Sequence, residues 1–354
     1  MSTDSAAVGD RILTYPEAIR EATLQEMERD DGVIVMGIGV DDPKAIYGTT
    51  AGLQERFGKD RVFDTPLAED SMTGMAIGAA QMGLRPIHVH IRMDFVLLAM
   101  NQLINVAAKN LYTFGGAAPV PIVIRSYIGR SWGQGPQHSQ ALHSMFMHVP
   151  GLKVVAPSNP YDAKGALIES IRDNNPVIFV EHRLLGGSTS HVPEESYALP
   201  FGKARIQQPG SDVTIVGISY MAVEAYRAGQ YLKDVGVSAE VIDPISLSPL
   251  DMDTILESVA KTGRLLVVDN GWLTCGASAE ILASVAETVE TPVQLKRMGF
   301  APVTTPTTPG LEEAFYPNAQ SIAVMANQMV QGKSADWIPE EIGASEAAEF
   351  RGPF

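Results

Sequence analysis

A single cysteine, Cys275, is all the thiol chemistry the chain offers. It excludes an internal disulfide and a cysteine-built zinc site, so a reducing, cytoplasmic setting is expected. Basic residues are scarce as well: 26 Lys and Arg face 41 Asp and Glu, a formal net charge of -15. That balance argues against nucleic acid or an anionic membrane as the main partner, because both are held by clustered Lys and Arg. No apolar run approaches the ~20 residues that cross a bilayer. The opening MSTDSAAVGD has neither the basic start nor the apolar stretch of a secretion signal. Apolar residues are abundant: 45% of the 354 positions, against 19% charged. A packed core follows, and at ~100–200 residues per domain about two domains are expected.

The order of elements points to α/β architecture. Thr14-Tyr15-Pro16-Glu17 reads as a capping box opening a helix that runs to about Asp30. Val33-Ile34-Val35-Met36-Gly37 is wholly apolar, as a buried parallel strand is. Strands follow at 61–64, 87–91, 120–125, 152–156 and 176–181, interleaved with helices at 71–82, 96–110 and 160–173. Strands alternating with helices of this length mean βαβ units and a parallel sheet. Residues 185–206, with Gly186-Gly187-Ser188, Pro193 and Pro200, break the rhythm as a linker would. A second series has strands at 213–219, 239–243, 265–270 and 293–298. Its helices are at 222–235, 249–262, 277–290 and 319–331. Two domains are expected, each a mainly parallel sheet flanked by helices: residues 13–190 and 207–332, joined by 191–206. The acidic tail 333–354 is expected on the surface.

Several chemistries fail on their motifs. Gly37-Ile38-Gly39 follows a strand, but Asp42 stands where a dinucleotide fingerprint has its third glycine and would repel a pyrophosphate. No P-loop sequence occurs. Gly129-Arg130-Ser131-Trp132-Gly133 matches the letters of a hydrolase nucleophile elbow, yet Gln134-Gly135-Pro136 prevents the helix that must follow the serine. A glycine-rich wall is the better reading of that loop. His138, His143 and His148 are spaced by five, which turns a helix ~140° per step and denies them a common face. His88 and His90 share a strand face but lack a third ligand.

Two segments carry a resemblance. One is Asp64-Thr65-Pro66-Leu67-Ala68-Glu69, followed by a small-residue helix and Gly83-Leu84-Arg85-Pro86-Ile87. The other is Gln137-His138-Ser139-Gln140, followed by Pro150-Gly151-Leu152-Lys153-Val154-Val155. Together with Ile171-Arg172-Asp173-Asn174-Asn175-Pro176 they resemble the β subunit of the E1 component of 2-oxoacid dehydrogenase complexes (pyruvate and branched-chain types), in the transketolase-like group. The similarity runs from about Leu13 to Gly332. It implies a pyrimidine-binding domain for thiamine diphosphate in the first half and a transketolase C-terminal domain in the second.

That cofactor adds to a carbonyl and then acts as an electron sink. The resemblance implies that Glu69 hydrogen-bonds its pyrimidine nitrogen, that Phe95 stacks on the ring and that Leu67 lies beside it. His138 would face the substrate or an incoming lipoyl group. Without the flanking match, Glu69 would read as an ordinary helix-start acid and Phe95 and Leu67 as core. The resemblance further implies a potassium ion on mostly backbone oxygens of Ile122, Ser170, Ile171, Asp173 and Asn175. The Gly-Asp-Gly motif that holds Mg²⁺ and the diphosphate is missing. It would come from a separate α subunit, giving an α₂β₂ heterotetramer with Mg²⁺ held by the α subunit and a lipoyl-bearing E2 as a further partner.

Two departures bear on substrate. Ile245-Ser246-Leu247-Ser248 replaces the usual Arg-Thr pair before Pro249-Leu250-Asp251. His90-Ile91-Arg92-Met93-Asp94 replaces a run of apolar and aromatic residues before Phe95, so that Arg92, Asp94 and Arg130 make a more polar pocket. Decarboxylation of a 2-oxoacid with acyl transfer to a lipoyl carrier is the expected activity. The alternatives are a split transketolase-like or acyloin-forming enzyme, a subunit kept only for assembly, and a hydrolase acting through Ser131.

Overall fold

Long apolar stretches of the sequence become the centres of two sheets. The computed structural model describes residues 11–42, 45–130, 133–332 and 336–340; Ser131 and Trp132, on which the hydrolase reading turned, lie outside them. The first half runs β1 (Ile12–Thr14), α1 (Tyr15–Arg29), β2 (Val33–Gly37), α2 (Leu53–Phe57), β3 (Val62–Asp64) and α3 (Glu69–Gln81). It continues with β4 (Arg85–His90), α4 (Met93–Val96), α5 (Ala108–Thr113), β5 (Val123–Ile128), α6 (His143–Met147), β6 (Lys153–Val155), α7 (Pro160–Arg172), β7 (Val177–His182) and β8 (Thr189–His191). The second half opens with β9 (Arg205–Gln208), β10 (Val213–Gly217), α8 (Tyr220–Lys233), β11 (Ala239–Asp243), β12 (Ser246–Ser248) and α9 (Met252–Thr262). It closes with β13 (Arg264–Trp272), α10 (Ala277–Thr288), β14 (Gln294–Phe300), α11 (Pro309–Phe315) and α12 (Ala319–Gln331).

The first sheet has the order β12-β6-β7-β5-β4-β2-β3 and the second β14-β13-β10-β11-β9. Both are parallel except at one edge, where β12 and β9 run antiparallel to their neighbours. Strands β2, β5 and β7 are buried along their whole length, as strands covered on both faces must be. The capping box forms: Thr14 accepts from the Glu17 amide, and the Glu17 carboxylate accepts from the Thr14 amide at 2.8 Å. Strand β12 comes from the second half of the chain yet closes the edge of the first sheet, with Ser246 opposite Val155. The two apolar clusters of the core also each draw on both halves.

Some elements differ from the sequence reading for identifiable reasons. The strand expected at 120–125 starts at Val123, because Pro121 has no N–H for the ladder. The helix expected at 96–110 is a broken run: α4, a tight turn at Leu97–Ala99, a π-helical stretch at Asn101–Ala107, then α5. Helix α9 begins after Asp251 rather than at Pro249, since the Asp251 carboxylate caps the Thr254 amide at 3.3 Å. Strands β1, β8, β9 and β12 and helices α2, α6 and α11 are additions to that reading.

Asp243, at the end of β11, is fully buried at the junction of the two halves. It accepts from Ser158 of the first half and, at 2.9 Å, from the Ile245 amide. Burial, followed by repulsion from Asp162, pushes its pKa up to about 7. A carboxyl raised this way holds its proton in the folded state while the unfolded chain releases it, so folding stability falls as pH rises from about 4 to about 7. Asp243→Asn is expected to flatten that fall and to raise stability at pH 8 by roughly 1–3 kcal/mol. Urea unfolding across pH 4–8 measures it, and an unchanged profile would place the proton elsewhere.

Candidate active site

In an open parallel sheet, ligands gather at the carboxyl ends of the strands. Leu67 and Glu69 follow the end of β3, Arg92 and Phe95 follow β4, Gly129, Arg130 and residues 133–138 follow β5, and Arg183 follows β7. The chain turns away from the sheet where bulk would not fit. At Gly37 (φ +145°) a Cβ would collide with the Val89 carbonyl, and at Gly129 (φ +84°) with the His182 ring.

Glu69 is the first residue of α3 and is half-buried. The loop before it is anchored by the Thr65 amide on the Gly37 carbonyl at 3.2 Å, and Leu67 at its tip is 79% exposed. One turn into α3, Thr73 meets His90 Nε2 at 3.3 Å, tying the helix of Glu69 to the end of β4. Five residues beyond His90, Phe95 lies edge-on to His138 with ring centroids 5.5 Å apart. The structure thus brings Phe95 and His138 into contact, while Glu69 stands at the start of the helix whose Thr73 is joined to β4.

His88 and His90 sit in the floor, buried, with rings 4.2 Å apart. Burial lowers the His88 pKa to about 4; burial and then His88 hold His90 well below its usual value. Both are neutral imidazoles at neutral pH. His143 instead spans the halves, its Nε2 lying 3.0 Å from Asp269 on β13. Among the described residues no group of three or more His, Cys, Asp and Glu is placed to hold a metal ion.

The oxygens expected to hold potassium lie mostly at the end of α7, where much of the set is already engaged. Arg85 donates to the carbonyls of Ile171 at 3.1 Å and Asp173 at 3.0 Å. The Ile122 carbonyl accepts from Val177 at 2.9 Å, the Asp173 carboxylate accepts from the Asn175 amide at 2.7 Å, and the Ser170 hydroxyl bonds the Ala166 carbonyl.

Sequence reasoning missed Arg183 and the role of Gln134. Arg183 is buried, donates to the His138 carbonyl at 2.7 Å and shares Gln134 Oε1 with Arg92, which lies 2.9 Å from it. Only the strand order, with β5 between β4 and β7, puts residues 92, 134 and 183 together.

Two family models cover most of the chain. Residues 12–188 match the family model of the transketolase pyrimidine-binding domain, and residues 202–322 that of the transketolase C-terminal domain. The acetoin:2,6-dichlorophenolindophenol oxidoreductase subunit beta of Cupriavidus necator is 45% identical over 336 residues, covering 91% of this chain and 98% of its own. The pyruvate dehydrogenase E1 component subunit beta of Porphyra purpurea is 44% identical over 300 residues, covering 84% and 91%. A solved split-gene transketolase, an inactive beta4 tetramer, superposes with a TM-score of 0.74 at 19% identity, over 91% of this chain and 99% of its own, and so shares the fold. The chain belongs to the transketolase-like family of β subunits that includes pyruvate dehydrogenase E1 beta and the acetoin oxidoreductase beta subunits.

Proposed function

We propose that this chain is the β subunit of a thiamine diphosphate-dependent E1 enzyme that decarboxylates a 2-oxoacid and passes the acyl group to a lipoyl carrier. The observation that supports the reading is the Phe95–His138 ring contact beyond β4 and β5, with Glu69 at the start of the helix that follows β3. Their chemistry fits the aminopyrimidine end of the cofactor: one carboxyl at a helix start, one aromatic ring and an exposed leucine. When bound, the cofactor supplies a carbon nucleophile and an electron sink. Glu69 holds a proton against the pyrimidine nitrogen, Phe95 and Leu67 fix the ring, and His138 orients or protonates the substrate oxygen.

The diphosphate end has no counterpart in this chain, so Mg²⁺ and the phosphates belong to an α subunit, in an α₂β₂ assembly. Exposed apolar side chains support a partner surface: Met75 on α3 and Met82 just past its end, Leu98 and Tyr112 on the helical run packed against it. Potassium would rest on the second lone pairs of the carbonyls at the end of α7. A cytoplasmic location fits the composition; among the described residues no helix is long and apolar enough to cross a membrane. A second reading, an acyloin as donor in place of a 2-oxoacid, draws on the acetoin-oxidising relative.

The isolated chain is expected to bind thiamine diphosphate barely or not at all by calorimetry, and to bind it tightly with Mg²⁺ once combined with the α subunit. Tight Mg²⁺-dependent binding by the isolated chain would overturn the split site.

A further inference from the structure

Arg92 and Arg183 are 7% and 2% exposed, and no carboxylate lies within ion-pair distance of either among the described residues. A guanidinium keeps its charge and offers five N–H donors with no acceptor of its own. Arg92 makes one hydrogen bond, to Gln134. Arg183 makes two, to Gln134 and to the His138 carbonyl, and its Nε is buried with no acceptor. Asp94 acts on both cations from farther away, with its Oδ1 taken by Gln140 at 2.9 Å. Two cations against one acid leave the cluster short of one negative charge.

The same sheet shows what a satisfied buried arginine looks like. Arg125 clasps Glu181 through Nε and Nη2, each at 2.8 Å. The Arg92–Arg183 pair has no such partner, and burying unpaired like charges is costly. Burial lowers the Arg183 pKa to about 10, with Arg92 pushing the same way. The pair lies against the backbone of His138 and immediately before Phe95, whose amide donates to the Arg92 carbonyl at 2.9 Å.

We propose that Arg92 and Arg183, bridged by Gln134, form an anion subsite beside His138 that binds a carboxylate of the donor, so that the enzyme selects acidic donors over neutral acyloins. This rests on the E1 reading and decides between its two donor classes. The planar forks suit a carboxylate, whereas a neutral acyloin would leave both cations unanswered. The carboxylate has two possible sources, the acid beside the reacting carbonyl or a second acid at the far end of the donor.

The test uses the complex of this chain with its α subunit and three donors: pyruvate with one acid, 2-oxoglutarate with two and acetoin with none. Arg92→Met is expected to lower kcat/KM for acidic donors at least ~10-fold, chiefly through KM, and to raise it for acetoin or leave it no lower. Arg92→Lys, which keeps the charge, should restore part of the loss and guards against a variant that fails to fold. Equal losses for pyruvate and 2-oxoglutarate assign the subsite to the acid beside the carbonyl; a loss confined to 2-oxoglutarate assigns it to the distal acid. Unchanged kinetics with the acids, or an equal fall with acetoin, would overturn the proposal. A wild-type complex that turns over none of the three defeats the E1 reading instead. Oxalate and glutarate then decide the subsite: they should raise the unfolding temperature of the wild-type complex and not of Arg92→Met, and no such difference would overturn it.

Discussion

Replacing Glu69 by glutamine is expected to cut turnover of the assembled enzyme at least ~10²-fold while leaving its affinity for thiamine diphosphate nearly intact. Glutamine keeps the size of the side chain and a hydrogen-bonding group but cannot shuttle a proton to the pyrimidine nitrogen. Affinity is set mainly by the partner's hold on Mg²⁺ and diphosphate, so it should drop much less. An acid at the first position of α3 is also what any helix start favours, at ~0.3–1 kcal/mol. A stability change of that size with a far larger kinetic loss separates the two roles. The direct measurement is hydrogen–deuterium exchange at the cofactor's C2 in the reconstituted complex, read by NMR after acid quench. Exchange in the glutamine variant as fast as in wild type would reduce Glu69 to a helix-end acid.

The largest effect on stability is expected at Arg125. It lies on β5 with both partners fully buried, bonded to Glu181 on β7 and to Thr49 at 3.0 Å. Arg125→Met should destabilise the fold by ~3–5 kcal/mol, because the Glu181 carboxylate would be left buried and unpaired. The double variant Arg125→Met/Glu181→Leu removes both charges and should recover most of that loss. Urea midpoints of wild type, both single variants and the double variant complete the cycle. A single variant costing under ~1 kcal/mol, or a double variant no better than the single, would show that the pair is not the buried contact it is taken for.

Much of this molecule is legible in its sequence where signals are local. The apolar run at 33–37 marks a strand, and Thr14 with Glu17 marks a helix start. Glu69, Phe95 and His138 are visible because flanking residues carry a family likeness, not because their own spacing signals chemistry. Strands β1, β8 and β12 are three residues long, too short for any period, and each exists only through a partner far along the chain. The Arg92–Gln134–Arg183 cluster is hidden for the same reason: strand order, not spacing, assembles it. Arg92 stands out as an oddity before Phe95, whereas Arg183 falls between the strand expected at 176–181 and the linker-like stretch from 185 and carries no signal of its own.

Strand β12 has a consequence for how the protein is made. The free edge of β6 is covered only when residues 246–248 pair with it. At ordinary synthesis rates those residues follow β6 by roughly 5–20 s. During that interval the nascent first half has a nearly complete sheet with an uncovered edge, the kind of surface to which a stray strand can add. The usual sequence in which an N-terminal domain finishes folding before the next one begins is therefore not open to this chain. A gene cut between the halves would turn a brief exposure on the ribosome into a permanent one.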